Sequence, residues 1–117
     1  MSDKIYIRNL ALRCIIGVFP EERRAKQDVI INIVMTCDFG DAATTDRLED
    51  TVDYKSINKE IIQLVEQSEY NLIESMAEHI ATVCLAHGSV WGVTVSVDKP
   101  GALRFAESVA VEVTRKR

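Results

Sequence analysis

The stretch QDVIINIVMTCDF, residues 27–39, carries the clearest structural signal in the chain. Every second residue in it is apolar, and one face of the extended chain would hold Val29, Ile31, Ile33 and Met35. Strict alternation of this kind is typical of a β-strand, and the β-branched residues that dominate the run favour strands as well. The pattern therefore predicts a strand with one buried face.

On the N-terminal side, residues 4–17 repeat this pattern with alternating apolar residues at Ile5, Ile7, Leu10 and Leu12. The segment between the two runs, VFPEERRAK at 18–26, is charged and contains a proline, which is typical of a loop. We therefore expect two strands that form a hairpin with this charged loop at its tip.

On the C-terminal side, a polar connector at 41–53 is followed by residues with helical spacing. In the first predicted helix, which starts at Tyr54 with Asp53 as its N-cap, the apolar positions are Ile57, Ile61, Leu64 and Val65. The second helix carries Leu72, Ile73, Met76, Ala77, Ile80 and Cys84, and it is expected to end near His87 and Gly88.

Apolar residues again occupy every second position in WGVTVSVDK at 91–99 and in ESVAVEVTRK at 107–116. The order ββααββ predicts one α+β domain over residues 1–117, a four-stranded antiparallel sheet with both helices on one face. Such a sheet has two open edges, and its second face mixes Ile30 and Val34 with polar groups. Because open edges expose backbone that can pair with another chain, we expect a homo-oligomer.

The composition excludes several classes of protein. With 47% hydrophobic residues, 27% charged residues and a net charge of −4, the chain matches ordinary globular domains and lacks the basic stripe of a nucleic-acid-binding surface. No apolar run is long enough for a membrane span, and the N-terminus is not a signal peptide, so we expect a cytoplasmic protein. The widely spaced Cys14, Cys37 and Cys84 predict buried, reduced thiols. His79 and His87 have no third ligand at a fitting spacing, so no metal site is expected.

Four ionisable residues are candidates for chemistry, and each has an ordinary structural alternative. Glu74 follows Asn71 by three residues, so it is either a ligand for a bound molecule or part of a capping box with Asn71 as the N-cap. Lys99 is either a base or an exposed lysine at a strand end. As a base it would need desolvation or a cationic neighbour, for which Arg104 is a candidate. Tyr54 is a proton-transfer group or a packing aromatic.

The fourth candidate, Glu22, lies in a charged loop next to Glu21, which is an equally plausible choice from the local sequence. A run of charges in such a loop is usually just solvated.

Four stretches together resemble one enzyme family: IIGVFPEERRAKQ at 15–27, DTVDYKSI at 50–57, NLIESMAEHIA at 71–81 and VDKPGALRFAESVAVEV at 97–113. In order and spacing they are similar to the dihydroneopterin aldolases and the related dihydroneopterin triphosphate 2'-epimerases. The resemblance extends over about residues 4–114. It implies the tunnelling fold, in which four protomers join their sheets into a barrel and two such rings form a homo-octamer with active sites between subunits.

The resemblance also implies a reaction and a set of site residues. The substrate would be a small-molecule pterin, cleaved in a retro-aldol step of folate synthesis without metal or cofactor. The carry-over assigns Lys99 as the base, Tyr54 as a group from the adjacent subunit, Glu22 as the loop glutamate and Glu74 as the pterin-binding carboxylate. Backbone groups that would frame the ring lie near Val18, Phe19, Val52, Leu72 and Ile73.

Two features leave the branch of the family open. Many of these aldolases have histidine before the tyrosine, where this chain has Asp53. The segment KPGALRFAESV resembles the epimerases, whereas GVFPEE is closer to the aldolases. An epimerase would need cations for three phosphates, and the loop candidates are Arg23, Arg24, Lys26 and Arg104. We rank the aldolase first, the epimerase second, and a non-catalytic pterin-binding or scaffold assembly third.

Overall fold

The two N-terminal strands form the predicted hairpin. In the computed structural model, which describes residues 2–117, β1 (Asp3–Cys14) pairs antiparallel with β2 (Gln27–Cys37). The four apolar residues on one face of β2, Val29, Ile31, Ile33 and Met35, are fully buried. Their alternation therefore predicted both the strand and its core face. The loop between the strands contains one short 3-10 helix, Pro20–Arg23.

A β-bulge in β1 explains a change in its apolar pattern. The apolar residues move from odd positions, ending at Ile7, to even positions, starting at Leu10, and the pairing with β2 shifts between these two residues. Asn9 has a φ of 52°, and its N–H donates to Asn32 Oδ1 at 2.8 Å. The extra residue keeps both apolar sets on the same face of the sheet.

The connector before the long helices is more ordered than its polar sequence predicts. It contains a six-residue helix, α1 (Gly40–Thr45), and a 3-10 helix, Leu48–Asp50. The prediction of a plain connector was wrong here because neither element buries a residue, so neither leaves an apolar period in the sequence.

The two long helices lie on one face of the sheet, as predicted. Helix α2 (Tyr54–Glu66) begins after Asp53, whose carboxylate accepts from the Ser56 N–H at 3.1 Å and so caps the helix. Helix α3 (Ile73–Leu85) follows after a short turn. Helix α2 packs on β1, and α3 packs on the other half of the sheet.

The C-terminal strands complete a sheet with the order β1-β2-β3-β4, where β3 is Gly92–Pro100 and β4 is Ser108–Lys116. All pairs are antiparallel. The α+β fold predicted from the sequence is confirmed. The three cysteines are free and buried, and burial raises the pKa of the Cys84 thiol to about 12. None of the helices in residues 2–117 is long and apolar enough to cross a membrane.

The open edges of the sheet are β1 and β4. Pairing places Leu10 opposite Ile31, Ile31 opposite Val97, and Val97 opposite Val111. A single row of residues therefore crosses the sheet from the bulge in β1 to the start of β4. Each end of this row, Leu10 in β1 and Val111 in β4, lies beside a cavity.

Candidate active site

A cavity of about 330 Å³ opens beside the β4 edge, between the hairpin loop and the start of α3. Its size is within the range of small-molecule sites. The walls of this cavity, which we call the lysine pocket, are Ile16, Gly17, Val18, Phe19, Glu22, Asn71, Leu72, Ile73, Glu74, Lys99, Ala102, Val109 and Val111. The fold thus collects seven of the nine predicted site residues in one place: Val18, Phe19, Glu22, Leu72, Ile73, Glu74 and Lys99.

Lys99 and Glu22 form a close ion pair on the wall of the lysine pocket. The Lys99 ammonium donates to Glu22 Oε2 at 2.5 Å, and the side chains are 13% and 20% exposed. Glu22 also accepts from the Phe19 N–H at 3.2 Å and from Gln27 Nε2 at 3.3 Å. The hydrogen bond from Lys99, supported by these two donors, lowers the pKa of the Glu22 carboxyl below its ordinary value. Glu22, and not Glu21, is therefore the loop carboxylate in this pocket.

Lys99 contacts a carboxylate, whereas the sequence offered Arg104 as a candidate cationic neighbour. The Arg104 guanidinium lies over the Phe105 ring, 5.1 Å from its centroid, and the group that contacts Lys99 is the Glu22 carboxylate. The sequence could not distinguish the two, because Arg104 is close to Lys99 along the chain whereas Glu22 is 77 residues away.

Gly17 makes room for the Glu22 carboxylate. Its φ is 124°, and a Cβ there would lie 2.2 Å from Glu22 Cδ. The Gly17 N–H donates to the Tyr70 carbonyl at 3.2 Å, and the Arg23 guanidinium donates to the carbonyls of Gly17 and Tyr70 at 3.0 and 3.1 Å. These bonds tie the hairpin loop to the turn before α3, so both walls of the pocket are held within one protomer.

Glu74 lies in the first turn of α3 with its side chain exposed towards the lysine pocket. The capping-box alternative was wrong, because α3 begins at Ile73, its N-cap is Leu72, and no side chain caps it. Asn71 lies one residue outside the cap and lines the pocket. Within residues 2–117 the Glu74 carboxylate has no ion-pair partner. The carboxylate lies near the positive end of the helix dipole, where a negative charge interacts favourably with the helix.

Apolar side chains surround the charged groups of the lysine pocket. Val18, Phe19 and Leu72 are about half exposed or more at its rim. The first N–H groups of an α-helix have no partner inside the helix, so the start of α3 also offers backbone donors beside Glu74. A flat heterocycle could therefore be held by apolar walls and by polar groups along one edge.

Two predicted site residues, Val52 and Tyr54, lie outside the lysine pocket. Val52 is 2% exposed, in the core, and its carbonyl accepts from the Tyr54 N–H. Tyr54 is 54% exposed at the start of α2 and lines a second cavity of about 380 Å³ beside the β1 edge. The walls of this β1-edge pocket are Tyr6, Ile7, Arg8, Asn9, Leu10, Ala11, Tyr54, Lys55 and Asn58. The buried Asn58 Oδ1 has no hydrogen-bond partner among the described residues.

The two histidines and the four candidate loop cations lie outside the lysine pocket. His79 Nδ1 is 2.7 Å from the Tyr70 hydroxyl, and His87 Nε2 is 2.5 Å from Glu60 Oε2. None of the four loop cations proposed from the sequence for phosphate binding, Arg23, Arg24, Lys26 and Arg104, lines the lysine pocket.

Comparisons with known proteins point to one family. The sequence model of the dihydroneopterin aldolase (FolB) family matches residues 5–114. A dihydroneopterin aldolase of Streptomyces coelicolor is 42% identical over 98% of this chain and 98% of that protein. A dihydroneopterin triphosphate 2'-epimerase of Pseudomonas aeruginosa is 38% identical over 97% of this chain and 93% of that protein. The structure of Escherichia coli dihydroneopterin aldolase in complex with neopterin matches with a TM-score of 0.93 at 31% identity, covering 97% of this chain and 99% of that one. The resemblance drawn from four motifs is confirmed.

Proposed function

The chain belongs to the dihydroneopterin aldolase family, and on that basis we propose that it is a carbon–carbon lyase acting on 7,8-dihydroneopterin. The products would be 6-hydroxymethyl-7,8-dihydropterin and glycolaldehyde. The observation that carries this proposal is the convergence of Glu22, Glu74 and Lys99 on one pocket from three separate parts of the chain.

Glu74 would bind the pterin ring. The 2-amino-4-oxo edge of a pterin presents two adjacent N–H donors, and a carboxylate can accept both in parallel charge-assisted hydrogen bonds. The exposed Glu74 carboxylate has no ion-pair partner within residues 2–117, so a ligand would not have to displace one. Backbone groups of Leu72 and Ile73 on one side, and of Val18 and Phe19 on the other, would frame the ring.

Lys99 would act as the base. The ammonium first releases a proton to solvent. The neutral amine then takes the proton of the 2'-hydroxyl, the C1'–C2' bond breaks, and C2' leaves as the aldehyde carbon of glycolaldehyde. The electron pair of the broken bond moves into the C6=N5 imine of the ring and forms an enamine. Protonation at C1' then gives the hydroxymethyl product. Because the ring itself accepts the electrons, this proposed route needs neither a metal nor a Schiff base. Glu22 holds the Lys99 side chain at the pocket wall.

The complete site would lie between two protomers. The lysine pocket is at the β4 edge and the β1-edge pocket is at the opposite edge, and the row from Leu10 to Val111 places them at the same level of the sheet. Pairing β1 of one protomer with β4 of the next would bring Tyr54 to the neighbour's Lys99. It would also remove both open edges and offer partners to the orphaned Asn58 oxygen. We propose a homo-octamer of two barrel-shaped rings, acting in the cytoplasm.

A second candidate is the 2'-epimerisation of dihydroneopterin triphosphate. It is favoured by the 38% identity to the Pseudomonas aeruginosa epimerase over nearly the whole chain. The two reactions share the bond-breaking step, because re-addition of the aldehyde to the other face of the enamine inverts C2'. The same three residues would serve both.

The test is to incubate the purified protein with 7,8-dihydroneopterin and, separately, with its triphosphate, and to resolve the products by chromatography with an assay for glycolaldehyde. Release of 6-hydroxymethyl-7,8-dihydropterin from the free pterin supports the aldolase. Inversion of the triphosphate with little cleavage supports the epimerase. If neither substrate reacts but both raise the melting temperature, the protein is a pterin-binding assembly, and if neither raises it, the protein is a scaffold.

A further inference from the structure

The β1-edge pocket carries positive charge that the proposed reaction does not use. Its walls include two cations, Arg8 and Lys55, and no acidic residue. Both side chains are exposed, and within residues 2–117 neither forms an ion pair. Most other arginines in the described chain are engaged with carboxylates or carbonyls, as Arg23 is.

Arg8 is placed to bind an anion. Its guanidinium lies over the Tyr6 ring, with Cζ 4.7 Å from the ring centroid. A stacked guanidinium is held by its face and keeps its N–H edges open, which suits the bidentate binding of a phosphate group. The bulge at Asn9 follows directly and turns the strand at this point.

Lys55 follows Tyr54 in the first turn of α2. If Tyr54 reaches the neighbour's lysine pocket, as the proposed function requires, Lys55 and Arg8 arrive at the same seam, because all three line one cavity. The proton-transfer group and the two cations would therefore approach the substrate from the same side.

The lysine pocket cannot supply this positive charge itself. It contains two carboxylates, Glu22 and Glu74, and its one cation, Lys99, is already paired with Glu22. A polyphosphate chain near this pocket would meet a net negative surface. Cations for it must come from outside, and none of the loop arginines and lysines considered from the sequence lines the pocket.

We infer that Arg8 and Lys55 of one protomer bind the phosphate groups of a phosphorylated pterin whose ring occupies the lysine pocket of the next protomer. This inference rests on the proposed function and deepens it, because it names the residues that would bind the phosphates of the second candidate substrate. The pterin edge is bound by Glu74 in one protomer, and the phosphate end by the β1 edge of its neighbour.

The test compares two double variants in the intact oligomer. Arg8→Gln with Lys55→Gln removes the proposed phosphate ligands. Lys4→Gln with Lys59→Gln is the matched control, since it removes one exposed cation from the same strand and one from the same helix, and neither lines the β1-edge pocket. Size-exclusion chromatography and melting curves check that both variants keep the oligomer and the fold.

The measured quantity is the KM for dihydroneopterin triphosphate divided by the KM for free dihydroneopterin. The Arg8→Gln, Lys55→Gln variant loses hydrogen bonds between charged groups and should bind the triphosphate more weakly. We expect this ratio to rise about 10- to 100-fold. The control variant should leave the ratio as in the wild type. An equal rise in both KM values, or the same change in the control, would overturn the inference.

Inorganic tripolyphosphate separates this inference from the proposed function. Calorimetric binding of tripolyphosphate to the wild-type oligomer, lost in the Arg8→Gln, Lys55→Gln variant and kept in the control, would establish the anion site even if neither pterin were turned over. If the pterins react, tripolyphosphate neither binds nor inhibits, and the KM ratio is unchanged, the proposed reaction is supported and the proposed phosphate site is contradicted.

Discussion

The two edges of the sheet are built differently, although each carries predicted functional residues. At the β4 edge, Glu22 accepts three hydrogen bonds and is paired with Lys99, so this half of the site is already organised within one chain. At the β1 edge, Tyr54 is more than half exposed and the Asn58 oxygen has no partner among the described residues. Both regions are cavities, but the first is organised by hydrogen bonds within the chain, whereas the second is lined mostly by exposed side chains.

This difference suggests a division of labour. Lys99, the proposed base, is held by Glu22 inside one protomer, and small displacements of such a group are costly for catalysis. Tyr54, the proposed partner of Lys99, lies at the other edge of the sheet and would reach that lysine only in an assembly, so the activity should depend on the oligomer. Variants at the two edges should therefore fail in different ways.

The largest effect is expected for Lys99→Ala. Loss of the proposed general base should lower kcat about 10²- to 10⁴-fold, and pterin binding should be largely kept because Glu74 and the apolar walls remain. Stopped-flow or steady-state assays with a separate binding titration distinguish the two quantities. Lys59→Ala, an exposed lysine on α2, is the control. Weaker binding with an unchanged kcat would make Lys99 an anchor for the ligand and not a base.

Mixing inactive variants tests whether the two edges meet. Oligomers assembled from Tyr54→Phe and Lys99→Ala chains would contain some sites with an intact Lys99 from one protomer and an intact Tyr54 from its neighbour. Random assembly in a symmetric ring makes about a quarter of the sites complete in this way. The mixture should then be far more active than either variant alone. Activity equal to the mean of the two separate variants would place Tyr54 and Lys99 in the same protomer's site or Tyr54 outside it.

Glu74→Ala should have the next largest effect, now on binding. Losing hydrogen bonds to a charged group should weaken pterin binding by at least about 1.5–3 kcal/mol. Fluorescence titration of the pterin measures this change. Glu78→Ala, one turn later on α3, is the control, because Glu78 pairs with Arg115 at 3.0 Å and does not line the pocket. Normal binding with a lower melting temperature would show that the Glu74 carboxylate stabilises helix α3 and does not bind the pterin.

Much of the fold could be predicted from the sequence because burial leaves a periodic pattern. The alternation in β2 and the helical spacing in α2 correspond to side chains with no exposure, such as Ile31 and Ile61. Asp53 as the N-cap of α2 was also correct, since capping depends on a few consecutive residues. Helix α1 and the bulge at Asn9 were missed, because α1 buries nothing and a bulge shifts the pattern by a single residue.

The site was less accessible to sequence reasoning because it depends on contacts between distant residues. The choice between Glu21 and Glu22 depends on Lys99, and the start of α3 depends on how the preceding turn is tied to the hairpin loop. The local sequence also does not show why residue 17 is a glycine, whereas the structure shows that its missing side chain leaves the space for Glu22. The catalytic and binding roles themselves stay predictions.

Gly17→Ala should therefore disturb the lysine pocket through a single added methyl group. The added Cβ would overlap the Glu22 carboxylate, and a φ of 124° is unfavourable for alanine. We expect a loss of about 1–3 kcal/mol in the free energy of unfolding together with lower activity, measured by urea denaturation and product assay.

Two control variants separate backbone strain from the overlap with Glu22. Gly101→Ala also has a positive φ of 71° but open space, and Gly88→Ala has open space and no positive φ. If Gly17→Ala and Gly101→Ala lose the same stability and activity, backbone strain and not the Glu22 overlap is responsible.

The smallest expected effect is a pH-dependent contribution of the Glu22–Lys99 pair to stability. The pair lowers the pKa of Glu22 in the folded protein from its ordinary value of 4.5, so the folded state favours the carboxylate. The resulting stabilisation is complete above the pKa of the unfolded chain and is lost as the pH falls through the lower folded value. Urea denaturation across this range should show Glu22→Gln less stable than the wild type at neutral pH, with the difference shrinking in acid.

Glu21→Gln is the matched control, because it removes a neighbouring exposed charge that makes no contact with Lys99. A gap between Glu22→Gln and the wild type that stays constant as the pH falls would mean that the loop, and not the ion pair, loses stability. The β4 edge would then be organised by the Arg23 and Gly17 contacts rather than by the Glu22–Lys99 ion pair.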